Sequence, residues 1–262
     1  MNDISKNIRK SILHMVHYSK SSHVGTCLSM VDILAVLYFK FLRIDPTNPK
    51  LEGRDKFILS KGHGGAALYA TLAERGFFPK EYLNKYYVDD GILPGHLDMT
   101  AVPGIESSAG SLGHGLSIGI GMAYANRSSN IAGEVIVLLG DGECNEGSVW
   151  EGIMYASSAN LTNLTAIVDY NKLQSFGRTN EVVNQENMSK RWESFGWHVI
   201  EIDGHNHEAI EQGLNHKALK PKVIIAHTIK GKGVSYMEDR LEWHYKSPSD
   251  EQLKMALKEL GE

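Results

Sequence analysis

The chain of 262 residues is long enough for one large domain or two small ones, and its 42% hydrophobic, 22% charged composition can bury a substantial core. A net charge of −4, counted with neutral histidines, leaves no basic footprint for nucleic acid or for an anionic membrane surface. Two cysteines, Cys27 and Cys144, exclude a disulfide framework and point to a reduced, cytoplasmic setting.

At the N-terminus, Met1 to Lys10 mixes polar and charged residues and lacks the apolar stretch of a signal peptide. Ile4, Ile8, Ile12, Met15 and Val16 recur with a helical period, which predicts a helix over Asp3 to Tyr18. A second, strongly apolar helix is predicted over Ser29 to Leu42. It holds the longest apolar run, Ile33 to Phe39, which is too short to span a bilayer. Lys56 to Leu59 reads as a short strand. The glycine-rich Lys61-Gly62-His63-Gly64-Gly65 follows, then a helix from Ala66 to Arg75 that stops at Gly76. Residues 89–111, punctuated by Gly91, Pro94, Gly95, Pro103, Gly104 and Gly110, read as irregular loop. Ser111 to Arg127 reads as a helix with four glycines. An interior glycine costs a helix roughly 1 kcal/mol, so close packing or the approach of a ligand is the expected reason for them.

Val135 to Leu139 is a continuous apolar run of strand length, as in a buried parallel strand. A helix over Glu146 to Ala159 comes next. Further strands are predicted at Leu164 to Asp169, Trp197 to Ile202 and Lys222 to Thr228, with helices at 187–196 and 206–219 between them and a closing helix to Glu262. This alternation predicts an α/β fold: one domain over 1–262, with a doubly wound, mostly parallel sheet and helices on both faces. Ligands then belong at the carboxyl ends of the strands.

The sharpest local signal is Gly140-Asp141-Gly142, directly after the strand ending at Leu139. Two glycines let the chain turn without bulky side chains and hold Asp141 at the strand tip, near the start of the next helix, a position that suits a diphosphate. Asn171 follows the next predicted strand. Mg²⁺ takes near-octahedral oxygen ligands, and Asp141, Asn171 and a backbone carbonyl at Leu173 supply oxygens from adjacent strand tips. A Gly-Asp-Gly turn alone needs no ligand. Its spacing to Asn171, with strand, helix and strand between, is what favours a metal.

That pattern resembles the thiamine diphosphate fingerprint, and further motifs narrow the resemblance to transketolases. They are Ser21-Ser22-His23-Val24-Gly25, Leu59-Ser60-Lys61-Gly62-His63-Gly64, Gly95-His96-Leu97-Asp98 and Gly110-Ser111-Leu112-Gly113-His114-Gly115, then Leu138 to Glu143, Glu146 to Glu151, Phe195 to His198, Thr228 to Gly233 and Trp243-His244. They cover nearly the whole chain in the family's order.

The resemblance implies thiamine diphosphate as cofactor, with Mg²⁺ (or Ca²⁺ or Mn²⁺) on Asp141, Asn171 and Leu173. Diphosphate contacts are implied for His63 and Gly142, a place near the diphosphate for Lys230, and cofactor contacts for Gly140 and Glu143. Leu112, Gly113 and His114 are implied near the thiazolium. His23 and His244 resemble the histidines that meet donor-sugar hydroxyls and assist proton transfer, and His96 resembles the one that binds the C1 hydroxyl of the two-carbon unit. Glu146 resembles an interface carboxylate that communicates with an activating glutamate on a pyrimidine-binding domain. Val24 stands where the family usually has proline, Ser111 where many members have proline, and His114 where many have glutamine. These departures bear on substrate preference.

Only the diphosphate-binding part of a transketolase is resembled. The implied activity is transfer of a two-carbon ketol unit from a ketose phosphate to an aldose phosphate. It is expected only with a companion chain carrying the pyrimidine and C-terminal domains, in an α₂β₂ assembly. Alternatives are the α subunit of a thiamine-dependent 2-oxoacid dehydrogenase E1, a cofactor-binding subunit without chemistry, or a piece of a longer single-chain enzyme. The Trp150, Met154, Tyr155 stripe reads as core or subunit interface, and His14, His17, His198, His205, His207, His216 and His227 receive no role.

Overall fold

The computed structural model describes residues 2–262. Helix α1 (Asp3–Ser19) starts where the Asn2 side chain accepts from Ser5 N, and it ends at Lys20 in the left-handed region. It buries Ile8, Ile12, Met15 and Val16 of the periodic residues, with Leu13 beside them, and leaves Ile4 half-buried.

The apolar segment after it is less regular than predicted. A short helix α2 (Val24–Ser29) comes first, Met30 (φ −98°, ψ 3°) breaks the run, and α3 (Val31–Val36) passes into a π-turn at Leu37–Phe41. A segment apolar on every side carries no phase to mark its ends. The start is set instead by His23, whose positive φ turns the chain into the helix.

Next come β1 (Lys56–Leu59), α4 (Gly65–Arg75), α5 (His114–Ser128), β2 (Val135–Gly140), α6 (Gly147–Ser158) and β3 (Leu164–Tyr170). The chain continues with α7 (Thr179–Val182), α8 (Met188–Ser194), β4 (His198–Asp203), α9 (His207–Asn215), β5 (Lys222–His227) and α10 (Asp250–Glu259). Residues 89–111 are irregular, as expected.

The five strands form one all-parallel sheet in the order β1-β2-β3-β5-β4. From β1 to β3 the chain moves across the sheet in one direction, and from β4 to β5 it steps back. Right-handed crossovers therefore put α5, α6 and α8 on one face and α9 on the other. The cores agree. Leu116, Ile120, Val149, Ile153 and Trp192 pack with Val135, Val137 and Val168, while α1 to α4 and α9 pack with Ile136, Leu138, Ile167 and Ile224. The sheet is doubly wound.

Helix α5 begins at His114, three residues later than predicted, because Gly113 sits at φ +80°. A Cβ on Gly119 would lie 2.4 Å from Val137 Cγ2, so this glycine lets α5 press onto β2. Among the described residues no helix is long and apolar enough to cross a membrane.

Candidate active site at the carboxyl edge of the sheet

Strands β2, β3 and β5 run side by side, and their tips carry most of the expected residues. Register pairs Gly140 with Asp169 and Tyr170 with His227, so Asp141 and Asn171 emerge from neighbouring strands. Asp141 Oδ1 accepts from Gly142 N at 2.7 Å. Its Oδ2 accepts from Lys172 N at 2.6 Å and Thr179 Oγ1 at 3.0 Å. Asn171 Oδ1 accepts from Leu173 N at 3.1 Å. Asp141 is thus tied to the backbone of Lys172, between the two other residues expected to hold a metal.

This oxygen set was tested against a hard cation. Among the described residues no group of three or more His, Cys, Asp and Glu side chains is arranged to hold a metal. One carboxylate, one amide and one carbonyl are a different kind of set, suited to Mg²⁺ when phosphate oxygens and water complete the shell. Asp141 is 3% exposed and takes only neutral donors, with no cationic side chain in salt-bridge range among the described residues. Burial, then the neighbouring Asp169 charge, push its carboxyl pKa up. A buried carboxylate in that state favours a cation, so the set fits.

Four histidines from four separate segments meet beside these tips. The His23 ring centroid lies 5.0 Å from that of His244, 5.2 Å from His63 and 6.1 Å from His96. His23 begins α2 at φ +73°, a left-handed conformation that costs a non-glycine residue on the order of 1–3 kcal/mol. It is held by a bond from its own N–H to His244 O at 2.9 Å. Burial, then the adjoining cationic groups, lower the His23 pKa to about 4 and the His244 pKa to about 3, and hold His63 well below its ordinary value. At neutral pH these rings are uncharged, able to donate from one nitrogen and accept at the other.

Lys230 joins the histidines to the strand tips. Its ammonium donates to Leu173 O and to His244 Nδ1, each at 2.9 Å. Burial lowers its pKa to about 8, partly offset by Asp141.

The other expected residues lie around this centre. His96 is exposed at the rim. Leu112, Gly113 and His114 precede or begin α5. His114 is exposed and lines a cavity of about 330 Å³ with Ser60, Ser108, Gly110 and Ser111. Glu146 is also exposed, and it crowds Gly113, where a Cβ would lie 2.7 Å from Glu146 Cβ.

Glu143 turns its side chain inward. Its carboxylate is buried and accepts from Ser60 Oγ at 2.5 Å, Gly113 N at 2.8 Å and Gly140 N at 3.0 Å. Its side chain braces the turn and ties it to the loop before α5. A diphosphate contact from this residue would have to come from its backbone.

Sequence reading missed a set of partners under the site. Asp169 is fully buried and pairs with Lys61, while Ser29, Thr228 and Asn171 donate to the same carboxylate. Lys61 also donates to Thr26. Gln185 donates to Asp141 O at 2.9 Å and to Asn145. Lys61 lay inside a family motif, but Asp169 was legible only as the last residue of a strand.

Comparison with known proteins gives a concordant result. The family described as "Transketolase, thiamine diphosphate binding domain" matches residues 1–262. The chain is 42% identical over 261 residues to a subunit of the apulose-4-phosphate transketolase of Phocaeicola vulgatus, covering 98% of this chain and 92% of that one. It is 43% identical over 257 residues to the 6-deoxy-6-sulfo-D-fructose transketolase subunit SqwG of a Clostridium species, covering 97% and 93%. The crystal structure of transketolase from Campylobacter jejuni superposes with a TM-score of 0.93 at 31% identity, over the whole of this chain and 43% of that longer one.

Proposed function

This chain belongs to the transketolase family, by its thiamine diphosphate binding domain, and on that premise we propose that it is the diphosphate-binding subunit of a two-chain transketolase that moves a two-carbon ketol unit from a ketose phosphate to an aldose phosphate. The observation that carries the reading is the meeting of His23, His63, His96 and His244 beside the Asp141–Asn171 strand tips. A 2-oxoacid dehydrogenase subunit would share the metal set but not require four imidazoles for a hydroxylated substrate. A binding module without chemistry would have no use for rings kept uncharged by burial.

In this reading Asp141, Asn171 and the Leu173 carbonyl would hold Mg²⁺, or Ca²⁺ or Mn²⁺ in its place, which would supply positive charge for the cofactor's diphosphate. His63, the backbone around Gly140 to Glu143 and Lys230 border the same group. Bound thiamine diphosphate supplies a carbon nucleophile and an electron sink for breaking a carbon–carbon bond next to a ketone.

The chain's own residues orient the sugar and move protons. His23 accepts and returns the proton of the donor hydroxyl next to the bond that breaks, a task suited to a neutral imidazole, and His244 assists by donating from Nε2 to a donor-sugar oxygen. Lys230, donating to His244 Nδ1, leaves the proton of that ring on Nε2. His96, at the rim, receives the terminal hydroxyl of the two-carbon unit. Leu112, Gly113 and His114 border the entrance.

Three observations support a companion chain. The two relatives are named as transketolase subunits of similar length, and the single-chain Campylobacter enzyme matches over 43% of its length. Ile118 and Tyr124 on α5, with Met154 and Tyr155 on α6, are exposed, whereas Trp150 packs inward against Trp192 and Phe195. Gly121 stands mid-helix on α5 with nothing near it, as suits close approach by another chain. Glu146, exposed beside this face, would meet the companion's activating glutamate.

The test is reconstitution with the companion subunit, thiamine diphosphate and Mg²⁺. Ketol transfer between sugar phosphates is the expected result. Oxidation of a 2-oxoacid instead, or cofactor binding without cleavage of any ketose, would overturn the reading.

A further inference from the structure

The chain buries a second group of charged side chains that the proposed chemistry leaves unused. Asp32 of α3 is 3% exposed, and its two oxygens are approached by three side chains. Arg9 of α1 lays its guanidinium along the carboxylate, Nη1 to Oδ1 at 3.2 Å and Nη2 to Oδ2 at 2.7 Å. His205 Nδ1 lies 3.0 Å from Oδ2, and His207 Nε2 lies 3.1 Å from Oδ1. Burial alone would push this carboxyl up; the histidines and then Arg9 reverse that and hold it ionised, well below its ordinary range.

Two of these partners also grip the segment that carries Lys230, while the third, His207, meets Asn2 and Ser5. His205 Nε2 accepts from Ile229 N at 2.8 Å, which fixes the ring proton on Nδ1, facing Asp32. Arg9 Nε donates to Lys232 O at 2.9 Å. These two backbone groups bracket Lys230, whose ammonium reaches Leu173 O and His244 Nδ1. Lysine loses more rotamer freedom on ordering than most side chains, so the place of its head depends on how firmly its backbone is anchored.

We propose that Asp32 is a positioning residue: through His205 and Arg9 it clamps the backbone on both sides of Lys230, and so sets where that ammonium meets Leu173 and His244. The inference deepens the functional reading and rests on Lys230 and His244 belonging to the cofactor site. A buried ion pair serving stability alone would need no partner with a second bond to this segment.

The full chain is tested in two variants, Asp32→Asn and His205→Phe, with histidine nitrogens labelled. Two readouts need no cofactor: hydrogen exchange of the Ile229 amide, and the His244 tautomer seen in nitrogen NMR. The expected result is exchange at Ile229 faster by about tenfold, the loss of one buried hydrogen bond, with wild-type protection kept in β2 and β3. His244, which carries its proton on Nε2 in the wild type, should become a mixture of tautomers. Thiamine diphosphate with Mg²⁺ should then bind each variant more weakly, also by about tenfold.

Wild-type Ile229 exchange in folded variants overturns the proposal. So does faster exchange with an unchanged His244 tautomer, since that is a structural brace alone. If Asp32→Asn loses protection throughout β2 and β3, His205→Phe decides, because it leaves the Arg9–Asp32 pair in place. A wild-type protein that binds no thiamine diphosphate even with its companion subunit would overturn the functional reading while these NMR readouts still judged the clamp.

Discussion

The Lys61 ammonium and the Asp169 carboxylate form an ion pair in which neither side chain exceeds 1% exposure, beneath the tips of β2 and β3. Three neutral donors complete the Asp169 shell: Ser29, Thr228 and Asn171. Such a pair is costly to break, because one removed partner strands the other in a medium that cannot solvate it.

Asp169→Leu or Lys61→Met alone should therefore destabilise the chain by about 3–5 kcal/mol, whereas the double variant should recover most of that loss. Denaturant unfolding of the three variants checks this. Additive losses in the double variant would show that the two side chains do not act as a pair.

Asp169 also predicts an acid limit. Lys61 and the hydroxyl donors overcome burial and hold its carboxyl below the ordinary 3.8. A carboxyl lowered on folding contributes stability above its unfolded pKa, and that contribution is lost as pH falls through the folded value. His23 works over a different window. Its pKa falls from 6.5 to about 4 on folding, so the unfolded chain takes up a proton first and stability drops as pH falls from 6.5 towards 4. His23→Asn, which tolerates the left-handed backbone, should flatten that segment of the stability curve by about 1 kcal/mol, the full shift being discounted for partial solvation. Urea titrations at pH 7 and pH 5 read the difference.

Asp141→Asn should separate function from stability. Removing a buried charge that faces Asp169 relieves a repulsion, while the new amide turns an N–H₂ donor towards Gly142 N or Lys172 N, so the melting temperature of the chain should fall only modestly. The extra thermal stabilisation conferred by Mg²⁺ with thiamine diphosphate should vanish. Persistence of that stabilisation would remove the metal assignment.

His244→Ala should lower turnover of the reconstituted enzyme by about 10²–10⁴ and change cofactor affinity far less, as expected for a proton-transfer group. Steady-state kinetics beside calorimetric binding decide it. Parallel loss of both would move His244 from proton transfer to cofactor holding.

Two glycines on α5 should respond oppositely. Gly119→Ala drives a methyl into Val137 and should cost about 1–3 kcal/mol. Gly121→Ala meets open space and should stabilise the isolated chain by about 0.5–1 kcal/mol. The same Gly121→Ala should weaken association with the companion subunit, which sedimentation of the mixed chains measures.

Much of this site was legible residue by residue. Gly140-Asp141-Gly142 announces a strand tip because a buried parallel strand must be apolar and the turn after it needs small residues. Asn171 follows by the same logic one strand later. The glycines of α5 were also legible as a packing signal, and Gly119 against Val137 supplies the contact. The inward turn of the Glu143 carboxylate was not legible, because its three donors come from segments distant in the chain and from the turn itself. The apolar segment before β1 lost its internal break for want of a polar face.

What the sequence determined by itself was the order of strands and helices, the sheet they must form, and the residue types at each strand tip, because burial imposes periods of 2 and 3.6 that local pattern records. Only the tertiary structure decided that His23, His63, His96 and His244 share one place, that Lys61 and Asp169 are a buried pair, and that Asp32 reaches across to the segment holding Lys230. Those meetings depend on how crossovers of many residues pack against two faces of a sheet. That outcome is a sum of many small contact energies, so no local stretch of sequence carries it.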